Sequence, residues 1–352
     1  MTVMIIHDFR SDTVTLPTPE MMSAIAHARL GDAARGDDPT VNELERFAVK
    51  LTGKEDALFL PSGTMANLCA VIGHDCHGGE IILEETAHIY NSEGGGLSVL
   101  AGAVPRPLKG DHGQLDPKEV ASAIRGTAEL ALAPTKLICL ENTHNTSGGS
   151  VIPIESMAAI HEVARWAGMT LHLDWARLFN AAAYLGVPIA EICEHTDSVC
   201  FALCKGLGGP VGAILAGEKA FMLKARRAAK MLGGGMRQAG LIAAPAIVAL
   251  KDPYDIHRRD HAHARALAQG LAGIDESLVE VERVQTNIVN CFVDRFAGDA
   301  GEINRALRER GILANSRQTK IRFVTHYHID EAAVETAVAC FAEVLEPFRR
   351  AA

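Results

Sequence analysis

Short apolar runs recur at 57–60, 80–83, 136–140, 170–174, 198–203 and 211–216, separated by amphipathic stretches that read as helices. That alternation predicts an α/β fold with a mainly parallel sheet, because parallel neighbours need a crossover helix and the helices then cover both faces. Ligands of such sheets sit beyond the carboxyl ends of the strands. Two runs bring charge to that edge: 170–174 closes on Asp174, and Lys205 follows 198–203. Pyridoxal phosphate needs that pair, an amine to condense with its aldehyde and an anion to keep its pyridine nitrogen protonated.

The chain has 352 residues, 48% hydrophobic and 22% charged, enough for a large core and roughly two domains. Its net charge of -9 is not gathered into a tail or opposed by a basic block. This argues against nucleic acid or an anionic membrane as partner and favours a small molecule. Eight cysteines lie mostly in apolar segments without a Cys-x-x-Cys pair, so buried thiols are expected, and with them a cytoplasmic location. No targeting leader or membrane-length apolar run is read, and no metal site is expected.

Helical patterns fill 218–272, with Asp252-Pro253 as a breaker. The character then changes. Strands are expected at 278–284, 287–293 and 320–325, with helices near 301–310 and 330–347, which makes a compact α+β unit. The expected division is therefore 1–252, a large cofactor-binding domain with an N-terminal arm, and 253–352, a small C-terminal domain.

Pro61-Ser62-Gly63-Thr64 links a strand to an apolar helix, where backbone N–H groups and the helix dipole can hold a phosphate. Gly63 and Thr64 are the expected ligands, although Ser and Thr at this place also serve as ordinary helix caps. His88 follows the run 80–83, where an imidazole can lie against the pyridine ring and move a substrate proton. His144 follows the run 136–140 and is a second candidate to act on a substrate hydroxyl. Arg177, in the first turn after Asp174, suits a two-pronged grip on a carboxylate. Arg322 stands among apolar neighbours in a strand and calls for an anion, such as a substrate carboxylate. The pairs His261/His263 and His326/His328 are read as surface residues. Gly233-Gly234-Gly235 implies a close approach to a partner or a phosphate rather than a plain connector.

Five segments in order carry a resemblance: Asp8-Phe9-Arg10-Ser11-Asp12-Thr13-Val14-Thr15, Gly36-Asp37-Asp38-Pro39-Thr40, Leu140-Glu141-Asn142-Thr143-His144, His172-Leu173-Asp174-Trp175-Ala176-Arg177-Leu178-Phe179-Asn180, and Lys205-Gly206-Leu207-Gly208. Together they resemble the threonine aldolase family of the β-eliminating lyase group, from about residue 8 to 345. The resemblance implies fold type I, the aspartate aminotransferase-like architecture with a seven-stranded sheet, and a homotetramer with sites across dimer interfaces. It implies Lys205 as the lysine that bonds the cofactor, Asp174 at the pyridine nitrogen, His88 stacked on the ring, and Gly63 and Thr64 at the phosphate. Ser11, Arg177 and Arg322 would bind the amino acid carboxylate, His144 would lie near the side-chain hydroxyl, and Lys230 or Arg237 would reach a neighbouring subunit's site. The expected reaction is retro-aldol cleavage of an L-threonine or L-allo-threonine type of β-hydroxy-α-amino acid to glycine and an aldehyde. β-Elimination or transamination on the same scaffold, and a non-catalytic cofactor or amino acid binder, are the alternatives. Three residues depart from the family pattern: Trp175 where a glycine is usual, Cys204 for a serine, and Arg35 for a tyrosine.

Overall fold

The computed structural model describes residues 5–128, 130–251 and 253–349. They fall into two compact units: residues 16–147 with 151–251, and a smaller unit drawn from 1–15, 148–150 and 252–352. The strands in chain order are β1 (His7–Asp8), β2 (Asp56–Leu60), β3 (Glu80–Glu84), β4 (Val104–Leu108), β5 (Thr135–Glu141), β6 (Thr170–Asp174), β7 (Ser198–Ala202), β8 (Ala213–Gly217), β9 (Ile288–Phe292), β10 (Ile312–Leu313), β11 (Asn315–Arg317) and β12 (Lys320–Val324).

The large unit is built on a seven-stranded sheet of order β2-β8-β7-β6-β5-β3-β4. Only β8 runs antiparallel, to β2 on one side and β7 on the other. The cause is local. Residues 203–212 contain no helix, and without a crossover the chain can only turn back on itself. β4 escapes a reading of apolar runs because Val104-Pro105-Arg106-Pro107-Leu108 carries two prolines. Proline lacks the N–H that an interior strand needs, so this segment takes an edge of the sheet. Ile81, Leu83, Leu137 and Cys139 are buried in one cluster with Leu97. Leu60, Cys69, Leu215 and Met222 are buried in another. Each large aliphatic side chain so removed from water contributes roughly 1.5–3 kcal/mol.

The smaller unit has an antiparallel sheet of order β11-β12-β9 and three long helices, Pro253–Ile274, Ala300–Glu309 and Glu331–Leu345. Asp299 and Glu302 form a reciprocal capping box at the start of the second. Leu271, Val289, Ile303, Ile321, Phe323 and Phe341 make the core. The N-terminal arm, expected in the large domain, groups here instead. β1 pairs with β10, the Val324 N–H donates to the Phe9 carbonyl at 2.8 Å, and the Phe9 ring meets Phe323 edge-on at 5.9 Å.

Residues 278–284 are not a strand. Val281–Arg283 form a 3-10 turn, and Leu278 accepts one bond from the Phe292 N–H at 2.7 Å. Leu278 and Val279 are both buried. The Arg283 and Val284 N–H groups bond back to the Glu280 and Val281 carbonyls at 2.9 and 3.1 Å, so the segment closes on itself instead of extending a ladder. Ser11 caps the short turn Asp12–Val14 by accepting from the Thr13 N–H at 3.2 Å. Arg322 is half-buried and stands across from Asn290 and Asn315, alternating with Ile321 and Phe323, whose side chains enter the core. His326 is not at the surface as expected: it is buried, and its Nε2 lies 2.8 Å from the Asp8 carbonyl.

Candidate active site

Three neighbouring strands, β3, β5 and β6, end on acids: Glu84, Glu141 and Asp174. Glu141 and Asp174 are partners in register, so both side chains leave the same face of the sheet. Asp174 is 3% exposed. Burial, then the charges of Glu141 and Glu93, push its carboxyl up to about 7, against the pull of His88 and Lys205. Among the described residues its Oδ2 has no hydrogen-bond partner.

His88 opens the short helix His88–Asn91, and its backbone N–H donates to Glu141 Oε2 at 2.6 Å. Its Nδ1 lies 3.1 Å from Glu93 Oε1. A carboxylate can only accept, so Nδ1 carries the hydrogen and Nε2 is left for other work. The Glu93 bond raises the pKa of His88 against the opposing effect of burial. His88, Glu93 and Asp174 bring their ligand atoms within 4.8 Å of one another.

His144 has a different setting. Its side chain is 0% exposed, with Nε2 at 3.1 Å from Glu84 Oε2 and 3.7 Å from Glu141 Oε2. The Ser147 N–H points at Nδ1 from 3.3 Å. Burial opposes charge on this imidazole, but the Glu84 bond and the surrounding carboxylates outweigh it and raise its pKa. Glu84 in turn is held low: burial would raise it, and hydrogen bonds from His144 and Thr86 prevail. Both ring nitrogens of His144 are thus engaged within the protein.

Lys205 lies in the reversal between β7 and β8, where the Gly208 N–H donates to its carbonyl at 2.8 Å. The tightness of that reversal shows at Gly212, with φ at +110° and space for a Cβ only 2.4 Å from the Phe59 ring. The Lys205 charge acts on Asp174. On the neighbouring helix Gly63–Gly73, Ser62 is the cap, its Oγ accepting from the Met65 N–H at 3.2 Å. Capping and ligand binding therefore divide: the Gly63 and Thr64 amides precede the first donor within the helix and suit an anion. Arg177 is buried, and its Nη1 donates to Asn145 Oδ1 at 3.2 Å.

The remaining expected residues have settings of their own. Arg237 is exposed and bonds both oxygens of Asp32, at 2.9 and 2.8 Å. Lys230 lines a surface cavity with Ala34, Gly36, Arg226 and Gly235. Arg35 is 77% exposed and also faces Asp32. The triple glycine ends a helix: Gly234 donates to the Ala229 carbonyl at 2.7 Å, and a Cβ there would come within 2.7 Å of Met65 Sδ. Trp175 is fully buried, its ring enclosed by the protein. Ser11 and Arg322 belong to the smaller unit.

Glu84, Glu93, Glu141 and Asn67 were not anticipated as site residues. A signal existed for two of them, since Glu84 and Glu141 close apolar runs as Asp174 does. Glu93 and Asn67 sit outside any strand end, and only the folded chain brings them in.

The family model described as β-eliminating lyase matches residues 8–294. A protein of Arabidopsis thaliana named probable low-specificity L-threonine aldolase 2 is 42% identical over 346 residues, covering 96% of each chain. The low specificity L-threonine aldolase of Escherichia coli K12 is 40% identical, covering 94% of this chain and 97% of its own. A solved threonine aldolase from Leishmania major superposes with a TM-score of 0.83 over 96% of this chain and 99% of that one, at 20% identity, a likeness of fold. The chain belongs to the β-eliminating lyase family and, within it, to the threonine aldolases.

Proposed function

We propose that this protein is a pyridoxal-phosphate-dependent lyase that cleaves β-hydroxy-α-amino acids of the L-threonine and L-allo-threonine type to glycine and an aldehyde. One observation carries the cofactor: Asp174 Oδ2 is buried without a partner among the described residues, within the influence of Lys205 and His88. A buried carboxylate oxygen left unpaired is costly, and a protonated pyridine nitrogen would complete it. The helix N-terminus at Gly63 and Thr64 offers a seat for the phosphate. The residues present therefore fit the group.

Pyridoxal phosphate, when bound, supplies a ring that accepts the electrons of a bond broken at Cα. Lys205 would hold its aldehyde carbon and give way to the substrate amine. Asp174 would keep the ring nitrogen protonated, and Gly63 and Thr64 would fix the phosphate. Arg177 would grip the substrate carboxylate, with Ser11 and Arg322 assigned to the same task by family resemblance. His88, its Nδ1–H held by Glu93, would take the β-hydroxyl proton at Nε2 as Cα–Cβ breaks. The exposure of His88 against the burial of His144 favours His88 as the base.

Family resemblance also supports a homotetramer, a dimer of dimers, with Lys230 or Arg237 serving a neighbouring site; light scattering on the purified protein tests it. All eight cysteines are free and seven are buried, which favours a reducing compartment such as the cytoplasm. No helix among the described residues is long and apolar enough to cross a membrane.

The decisive experiment offers the purified, cofactor-loaded protein threonine, allo-threonine, phenylserine and 3-hydroxyaspartate and measures glycine and aldehyde. Release of both in equal amounts is expected. A keto acid with ammonia would instead mean elimination, and binding without turnover would mean a non-catalytic protein.

A further inference from the structure

Behind His88 runs a chain of buried polar groups that the proposed mechanism does not use. Glu93 Oε1 accepts from Asn67 Nδ2 at 2.8 Å as well as from His88. Asn67 Oδ1 lies 3.1 Å from His172 Nε2 and accepts from Cys200 Sγ at 2.8 Å. His172 Nδ1 lies 2.8 Å from Ser198 Oγ, which lies 2.7 Å from His74 Nε2, and His74 Nδ1 lies 3.1 Å from Thr170 Oγ1. Asn67 and Glu93 are almost wholly buried, and His172 and Ser198 are completely so.

The chain has one direction. Glu93 as a carboxylate only accepts, so the Asn67 amide must turn its NH2 toward it and its oxygen toward His172. His172 then donates from Nε2, leaving Nδ1 to accept the Ser198 hydroxyl hydrogen. Ser198 accepts from His74 Nε2–H, and His74 Nδ1 accepts from Thr170. Both inner imidazoles are neutral, since burial lowers His172 to about 3 and His74 to about 4. The opposite direction would require a proton on Glu93. Asn67 cannot pass protons along, so the chain orients groups rather than conducting.

We propose that Asn67 and His172 are positioning residues: through Glu93 they hold His88 with its hydrogen on Nδ1 and its lone pair at Nε2 toward the substrate. His172 is two residues before Asp174 on β6, so both leave the same face of the sheet, and one strand positions the acid and the brace of the base.

The test uses full-length enzyme carrying 15N-histidine at alkaline pH, where His88 is neutral, with its signals assigned by their loss in His88→Gln. The parent should show hydrogen on Nδ1 alone. Asn67→Leu keeps the shape but removes the donor to Glu93; it should lose that pattern, and kcat should fall about 10- to 100-fold with KM little changed and the cofactor's visible absorption retained. His172→Phe should behave like Asn67→Leu, whereas His172→Gln, which keeps an N–H for Asn67, should stay close to the parent. A parental tautomer and kcat in Asn67→Leu would overturn the proposal, as would equal losses in His172→Phe and His172→Gln, because mere space-filling would then suffice. If His172→Phe does not fold, Asn67→Leu decides alone. The kinetic arm rests on the proposed aldolase activity and the tautomer arm does not, so an inactive parent would count against that activity only.

Discussion

Asp174 and Glu141 stand side by side in register at the ends of β6 and β5, two acids on one face of a buried edge. Burial and that neighbour lift Asp174 to about 7, far above an ordinary aspartate. A raised carboxyl stabilises the fold only while protonated. Its contribution is complete below the unfolded pKa of roughly 3.9 and is lost as pH rises toward about 7. The cofactor-free protein should therefore be strained by ionised Asp174 at neutral and higher pH. Asp174→Asn should melt higher than the parent without cofactor at about pH 8, and the gap should shrink as pH falls toward about 5. The same variant should retain no pyridoxal phosphate. A lower melting temperature at every pH would show that Asp174 is satisfied by the protein itself.

Lys205→Ala removes the amine in the reversal between β7 and β8. Turnover should disappear together with the visible absorption of the bound cofactor, while the melting temperature of the cofactor-free protein stays near the parent's, since Lys205 is half-buried and lies outside the strands. Absorbance spectra before and after dialysis against free cofactor check this. Activity equal to the parent's would remove the lysine from the chemistry.

The two histidines should separate cleanly. His88→Gln should lower kcat by roughly 100- to 10,000-fold, the range a general base contributes. His144→Gln should mainly lower stability, by about 1.5–3 kcal/mol, because it loses the imidazole's bond to the Glu84 carboxylate, whose Oε2 keeps only its Thr86 N–H and hydroxyl partners. Steady-state kinetics beside thermal melts on both variants decide it, and a larger kcat loss for His144→Gln would reverse the assignment.

Much of this architecture can be read before folding. Parallel strands sort themselves by apolar runs joined through helices, and Asp174 and Lys205 declare themselves because each sits at the end of such a run. What hides is of two physical kinds. β4 hides because an edge strand tolerates the prolines that make its sequence look like a loop, and β8 runs antiparallel only because the stretch before it lacks a crossover. Asn67 and His172 hide because their role comes from contacts across 26 and 105 residues, and Glu93, only five residues from His88, hides because it closes no apolar run. His144 looks in sequence like a second base, and its packing between Glu84 and the Ser147 amide shows only in the fold.

Arg177 donates to Asn145 at 3.2 Å and is buried, so its guanidinium is already oriented before substrate arrives. Arg177→Lys keeps the charge but loses the planar fork that matches a carboxylate. A charge-assisted hydrogen bond contributes about 1.5–3 kcal/mol, so KM should rise roughly 10- to 100-fold with a smaller change in kcat. Initial rates over a wide range of threonine concentration test it. A KM unchanged within error would place the substrate carboxylate elsewhere.

Trp175 follows Asp174 directly, at a position where the family usually has glycine, and no part of its side chain reaches solvent. Its N–H joins the strand edge by donating to the Cys200 carbonyl at 2.9 Å, while the indole Nε1 has no partner among the described residues. A ring so enclosed contributes through volume. Trp175→Gly should open a cavity and cost about 3–5 kcal/mol, with glycine's backbone entropy adding to the loss. Because the ring is enclosed by the protein, the order of preference among threonine, allo-threonine and phenylserine should stay as in the parent, even as the melting temperature drops. Trp175→Phe, which keeps most of the volume and removes the unpaired N–H, should recover most of the stability. A changed preference among the three substrates in Trp175→Phe would show instead that the indole shapes the substrate site.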